Sequence, residues 1–219
     1  KGEGHLGALL RSTVLAQLGS YGDTEIVQRA QTQFASFLKD HASLRPDIRG
    51  LVLGLVGQEG NRSTYDQIWE LEKQATLHEE KMRFLGALTR FKDPELLEET
   101  LVRSLSNEVR SQDTVAVVGA VAANRYGRDL AWDFIKQNWT EFDRRYGRGG
   151  FGIMRLVSTT GSFTTLERAE EVEKFFSSHP APSAQRTIQQ AIERIRINAR
   201  WLEKNGSDLA IWFANNSRF

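Results

Sequence analysis

Apolar residues recur at three- and four-residue spacing along almost the whole chain, and no stretch alternates with the period of two that a half-buried strand requires. Ile188, Ala191, Ile192, Ile195, Ala199 and Leu202 share one helical face, while Arg186, Glu193, Arg194, Arg196 and Arg200 fall mostly elsewhere. Further stripes run through Ile26, Ala30, Phe34, Phe37 and Leu38, through Leu97, Leu101 and Leu105, and through Leu166, Ala169, Val172 and Phe176. A chain patterned this way folds as packed helices, and only four Pro interrupt it.

Start and stop signals divide the pattern. Asp93, Pro94 and Glu95 supply a capping carboxylate, a proline at the first helical position and an acid at the positive helix end. Ser63 with Asp66 resembles a capping box, Asp113 stands before Thr114 and an apolar run, and Pro182 with Ser183 opens the long amphipathic segment. Gly19, Gly22, Gly60 and Gly206 read as stops. Helices are expected near residues 6, 24, 46, 64, 78, 94, 114, 127, 140, 151, 165, 183 and 207. The starts near 6, 46, 78 and 114 are spaced at roughly 32 to 40 residues, the length of a helix-turn-helix repeat. Val115, Val117, Val118 and Val121 belong to a segment apolar on all sides, as in a helix covered from both faces. The expected fold is all-α: a single domain over 1–219, built as an α-α superhelix of helix pairs.

Charge and composition remove several functions. With 29 basic and 28 acidic residues the formal net charge is +1, which offers no whole-chain field to nucleic acid or an anionic membrane. The longest apolar stretch, Val115 to Ala123, is far shorter than the ~20 residues of a membrane-spanning helix. Zero Cys excludes disulfides, thiolate nucleophiles and cysteine metal sites, and fits a reducing, cytoplasmic setting. Lys1, not Met, opens the sequence, so the chain is expected to be a piece of a longer polypeptide.

Local chemistry is sparse. His78, Glu79, Glu80 and Lys81 begin like the zinc motif H-E-x-x-H, but Met82 stands where the second imidazole belongs, and His5, His41 and His179 are scattered. The acidic pairs Glu79–Glu80, Glu98–Glu99 and Glu170–Glu171 point about 100° apart on a helix and read as solvated faces. Trp69, Trp132, Trp139, Trp201 and Trp212 read as anchors between helix layers. The most unusual composition is Arg144, Arg145, Tyr146, Gly147, Arg148, Gly149, Gly150, Phe151, Gly152, Ile153, Met154, Arg155. Its glycines would let backbone amides approach an anion and its arginines add bidentate charge; it also reads as an inter-helix turn whose arginines satisfy helix carboxyl ends. The lysine and strand of a phosphate-binding P-loop are missing.

Three stretches resemble the C-terminal helical domain of puromycin-sensitive aminopeptidase, a zinc metallo-aminopeptidase of the gluzincin class. They are KGEGHLGALLRSTVLAQLG from Lys1 to Gly19, QDTVAVVGAVAANRYGRDLAWDFIKQNW from Gln112 to Trp139, and FFSSHPAPSAQRTIQQAIERIRINARWLEKN from Phe175 to Asn205. The resemblance implies a multi-domain enzyme that removes N-terminal residues from peptides, with its zinc ligands and its G-A-M-E-N exopeptidase loop in an earlier domain. Neither motif occurs here, so the expectation is no catalytic residue, no metal ligand and no cofactor in this chain, with zinc in the catalytic domain of the parent. The resemblance also implies a bowl of HEAT-like and armadillo-like helix pairs that covers the active site, restricts access and positions the peptide, its basic residues meeting substrate carboxylates. Arg148, Arg155 and Tyr146 are the expected substrate contacts; the expected partners are the peptide and the catalytic domain, without nucleic acid or membrane. A free-standing HEAT-like adaptor presenting a groove to a protein partner is the alternative.

Overall fold

The computed structural model describes residues 4–216, all of whose regular structure is helical. The helices are α1 (His5–Ser20), α2 (Thr24–Phe37), α3 (Pro46–Glu59), α4 (Arg62–Gln74), α5 (His78–Leu88), α6 (Pro94–Leu105), α7 (Ser111–Ala123), α8 (Arg128–Gln137), α9 (Trp139–Tyr146), α10 (Phe151–Thr159), α11 (Leu166–Ser178) and α12 (Gln185–Asn216). Single 3-10 turns lie at His41–Ser43, Thr160–Ser162 and Pro182–Ala184. None of the described helices is long and apolar enough to cross a membrane. The chain divides into two compact units, Lys1–Leu130 and Ala131–Phe219.

Side-chain caps open four of the helices, α2, α4, α6 and α11. The Asp93 carboxylate accepts from the Glu95 amide, with Pro94 at the first helical position of α6. Asp23 caps α2 through Ile26 N, and Thr165 caps α11 through Arg168 N. Two expected caps are corrected. Asn61, not Ser63, caps α4 by accepting from Thr64 N. Asp113 is buried inside the first turn of α7, which begins at Ser111. The stop at Gly206 and the separate start near 207 are also corrected, because α12 runs unbroken from Gln185 to Asn216. A glycine lowers helix propensity by only ~1 kcal/mol, which a long run of good helix formers absorbs. Gly19 likewise lies inside α1; the turn falls at Gly22, whose φ of 98° needs a residue without Cβ.

In the first unit α2 packs on α3, α4 on α5 and α6 on α7, while α1, α3, α5 and α7 touch in series. The inner helices α1, α3, α5 and α7 begin at His5, Pro46, His78 and Ser111, close to the expected starts near 6, 46, 78 and 114. Side chains link equivalent levels of adjacent pairs. The Tyr65 hydroxyl bonds Thr100, 35 residues on, and the Asn124 amide donates to the carbonyls of Thr89 and Phe91, 35 and 33 residues back. The valine-rich segment is a helix, α7, with Val115, Val117, Val118 and Val121 buried.

In the second unit α11 and α10 pack on α12. Trp132 and Trp139 meet Phe175 and Phe176 in edge-on and tilted contacts at 5.2 to 6.0 Å between ring centres. Asn198 repeats the role of Asn124, donating to the carbonyls of Gly161 and Phe163. Trp69, Trp132 and Trp139 are the layer anchors the sequence suggests. Trp201 and Trp212 are not: they stand 56% and 55% exposed on the C-terminal half of α12, along which every residue from Arg200 to Asn216 is exposed except half-buried Asn205 and Gly206.

Candidate functional site: a basic groove over a small-residue floor

Small residues occur at four-residue spacing on the inner helices, and this spacing places them on one face. Gly50 and Gly54 on α3, Gly86 on α5 and Ala120 on α7 leave a shallow floor where larger side chains would fill the space. The result is a groove of ≈ 770 Å³ lying wholly within the first unit. Helix ends and the turns that follow them raise its walls, and Arg83, Arg90, Lys92 and Arg125 all line it. Among the described residues no carboxylate lines it.

The four cations differ in how far they are committed. Arg83 pairs with Glu79 at 2.6 Å, and Lys92 with Glu59 at 2.7 Å. Arg125 donates to the Tyr126 hydroxyl at 2.6 Å with its guanidinium 4.6 Å above that ring, which orients the fork without neutralising it. Arg90 is exposed, and no ion pair or hydrogen bond ties its guanidinium to the described residues. A Cβ on Gly54 would sit 3.5 Å from the Arg90 Cδ, Nε and Cζ, so that side chain lies along the bare helix backbone. Asn124 is spent on the backbone carbonyls, while Gln58 donates to the Ser20 carbonyl and to Glu59. The arrangement suits an extended, anionic or carboxylate-bearing chain, because guanidinium pairs carboxylate bidentately and a glycine floor admits a backbone closely.

The residues singled out from the sequence lie in the second unit. Tyr146 ends α9 with its ring stacked on Phe142, 6.4 Å between centres, and against Gly152, where a Cβ would come within 3.1 Å of it. Gly149 and Gly150, at φ 120° and 96°, turn the chain into α10. Arg148 and Arg155 are both exposed, and no ion pair or hydrogen bond ties either guanidinium to the described residues. Arg144 and Arg145 are committed: both bind Glu141, and the hydrogen bonds they donate hold its carboxyl down to about 2. The arginines therefore split: Arg144 and Arg145 are paired with the Glu141 side chain of their own helix rather than with helix-end carbonyls, and Arg148 and Arg155 face solvent.

The acidic pairs are more structured than solvated faces. Glu80 binds Arg49 at 2.8 Å, Glu99 binds Arg62 and Arg103, and Glu171 takes hydrogen bonds from Lys136, Arg168 and the Trp132 indole. These contacts lower the Glu99 and Glu171 carboxyls despite the opposing effect of burial. His78 lies 3.5 Å from Asp113 and 3.4 Å from Arg110; His41 and His179 stack on Phe37 and Phe175. Among the described residues no three His, Cys, Asp or Glu side chains stand together as metal ligands. The groove itself escaped the sequence reading. Its signal was the four-residue row of small residues within otherwise apolar helices, Gly50 and Gly54 above all.

Fold and groove together define a helical-repeat scaffold. The chain belongs to the ERAP1-like C-terminal domain family, whose model matches residues 1–197. It is 38% identical over 209 residues to Aminopeptidase M1 of Arabidopsis thaliana, covering 93% of this chain and 23% of that protein. It is 35% identical to Aminopeptidase M1-A of Oryza sativa subsp. japonica over 94% of this chain and 24% of the relative. It is 29% identical to human glutamyl aminopeptidase over 96% and 22%. The chain thus spans less than a quarter of the length of these relatives.

Proposed function

We propose that this chain is the noncatalytic C-terminal part of a zinc aminopeptidase that removes N-terminal residues from peptides. In this reading the HEAT-like helices cover the active site carried by the preceding catalytic domain, restrict access to it and hold the distal part of the peptide. The single observation that carries the positioning role is the groove lined, among the described residues, by four cations and no carboxylate, with the Arg90 guanidinium unpaired. Binding energy gained there, away from the scissile bond, orients the peptide N-terminus at the metal. Arg148, Arg155 and Tyr146 form a second basic surface for substrate carboxylates. The absence of cysteine agrees with a cytoplasmic protein.

The test is steady-state kinetics of the full-length enzyme on long acidic peptides and on single aminoacyl reporters. A charge-assisted hydrogen bond contributes about 1.5–3 kcal/mol, so Arg90→Ala is expected to lower kcat/KM on the long peptides by roughly 10- to 100-fold. The short reporter, which does not reach the groove, is expected to be unaffected. Arg148→Ala and Arg155→Ala are expected to act in the same direction. Equal kinetics of Arg90→Ala and wild type on both substrates rejects the positioning role.

A further inference from the structure

We infer that Arg148 is an acceptor site for an arginine methyltransferase, which transfers two methyl groups from a sulfonium donor to one terminal nitrogen of its guanidinium. Arg148 lies in the connection Gly147-Arg148-Gly149-Gly150 between α9 and α10. It is the one arginine of the 219 residues with glycine on both sides. Two physical requirements make that setting matter. A methyltransferase holds the guanidinium with its own carboxylates, so an arginine already paired with an acid has to give that partner up first. The attacking nitrogen and the methyl carbon also have to approach to about 3–3.5 Å in line with the carbon–sulfur bond, which neighbouring side chains and a helical backbone obstruct.

Among the described residues five arginines stand outside the helices: Arg45, Arg90, Arg110, Arg125 and Arg148. Arg45 is paired with Asp47 at 2.9 Å, Arg110 lies 3.4 Å from the His78 ring, and Arg125 donates to the Tyr126 hydroxyl. Arg90 lies along Gly54 and is flanked by buried Thr89 and Phe91. Arg148 carries none of these restraints. It is exposed, and no ion pair or hydrogen bond ties its guanidinium to the described residues. A Cβ built on Gly149 or Gly150 meets nothing within 4 Å, and Phe151 beyond them is 76% exposed. The approach to the arginine is therefore open on that side. Arg155, equally unpaired, sits inside α10 next to buried Leu156, while Arg144 and Arg145 are helical and bound to Glu141.

The turn itself is fixed by the fold. The Ser183 hydroxyl donates to the Gly147 carbonyl at 3.1 Å, and Gly149 and Gly150 hold φ of 120° and 96°, which residues without Cβ adopt freely. These glycines serve the turn, and they also leave bare backbone on both sides of Arg148. In the transfer the guanidinium gives one Nη proton to a carboxylate of the methyltransferase. The freed lone pair takes the methyl carbon, and the carbon–sulfur electron pair returns to sulfur, turning the sulfonium into a thioether. A second round on the same nitrogen yields asymmetric dimethylarginine. The positive charge is kept, but both N–H donors of that nitrogen are lost, so the fork no longer pairs a carboxylate through two parallel bonds. The inference does not depend on Arg148 touching a substrate.

The experiment incubates the folded full-length polypeptide with S-adenosylmethionine carrying a deuterated methyl group and a purified methyltransferase of the asymmetric-dimethylating class. A glycine- and arginine-rich peptide in the same reaction reports that the enzyme is active. After digestion, mass spectrometry is expected to find two labelled methyl groups on Arg148, with loss of dimethylamine on fragmentation placing both on one nitrogen. Arg90, Arg144, Arg145 and Arg155 are expected to carry no label. Arg148→Lys, a change in an exposed turn, is expected to abolish incorporation while leaving the circular dichroism spectrum and thermal transition unchanged. An unlabelled Arg148 beside a methylated control peptide, label on Arg155 equal to that on Arg148, or label that persists in Arg148→Lys overturns the inference. Because the readout is mass and not peptide hydrolysis, loss of the Arg90 or Arg148 kinetic effect leaves it unchanged.

Discussion

Replacing Gly57 by alanine probes the closest approach between inner helices. A Cβ at Gly57 would lie 2.4 Å from the carbonyl oxygen of Ala87 and 3.2 Å from its carbon. Ordinary carbon–oxygen contacts are roughly 3.3 Å, so α3 and α5 would have to part by about 1 Å. The obstacle is backbone, which has no rotamer to escape into, and the cost is set at the upper end of overpacking, about 3 kcal/mol. Alanine returns about 1 kcal/mol of helix propensity, leaving a net loss of about 2 kcal/mol. For a chain of this size that lowers Tm by about 4–8 °C. Gly54→Ala is the control from the same helix: its Cβ meets only the Arg90 side chain at ordinary contact distance, 3.5 Å. There the propensity gain stands alone, and Tm is expected to rise by about 2 °C. Thermal unfolding followed by circular dichroism separates the two. Ala87→Gly in the Gly57→Ala background is expected not to restore stability, since the clash is with the oxygen. A Gly57→Ala protein as stable as Gly54→Ala refutes the reasoning.

Two further outcomes depend on protons. Thr100 donates its hydroxyl to the Leu96 carbonyl at 2.8 Å, so Tyr65 is the donor in the buried pair at 3.1 Å, and Tyr65→Phe is expected to cost about 1 kcal/mol in urea unfolding. Burial pushes the Tyr65 phenol up to about 12. Because the folded state keeps that proton, its contribution to stability is lost as pH rises from the unfolded value near 10 through 12; absorbance titration is expected to show a tyrosine ionising near 12 that is absent in Tyr65→Phe. Glu141 behaves oppositely. Its carboxyl, held down to about 2 by the Arg144 and Arg145 hydrogen bonds, contributes stability above its ordinary 4.5 that is lost as pH falls toward 2. Carbon-detected NMR is expected to show this carboxylate still ionised at pH 3, and a resonance titrating near 4.5 contradicts the pairing.

Much of the helix order was legible because helical periodicity and caps are local properties. The Asp93–Pro94–Glu95 start and the amphipathic face through Ile188, Ile192 and Ile195 needed no tertiary information. Misreadings arose where a local rule competed with length or with a neighbour. Gly206 does not stop α12, because a single glycine costs less than a long helix gains. Trp201 and Trp212 are exposed because α12 continues past the helices that pack on its first half. The resemblance in Gln112–Trp139 and Phe175–Asn205 is a likeness of sequence that the family match from residue 1 to 197 upholds.

The sequence by itself determined that this chain is all helix, with inner segments apolar around their circumference and no metal motif, since each of these is written in residue type and spacing along the backbone. Only the tertiary structure decided which cations share a groove and which are spent on acids. Arg83 and Arg90 are close in sequence and both line the groove, but one is bound to Glu79 and the other lies unpaired over Gly54 on a different helix. Charge neutralisation is a property of distances through space, which periodicity along the chain does not encode.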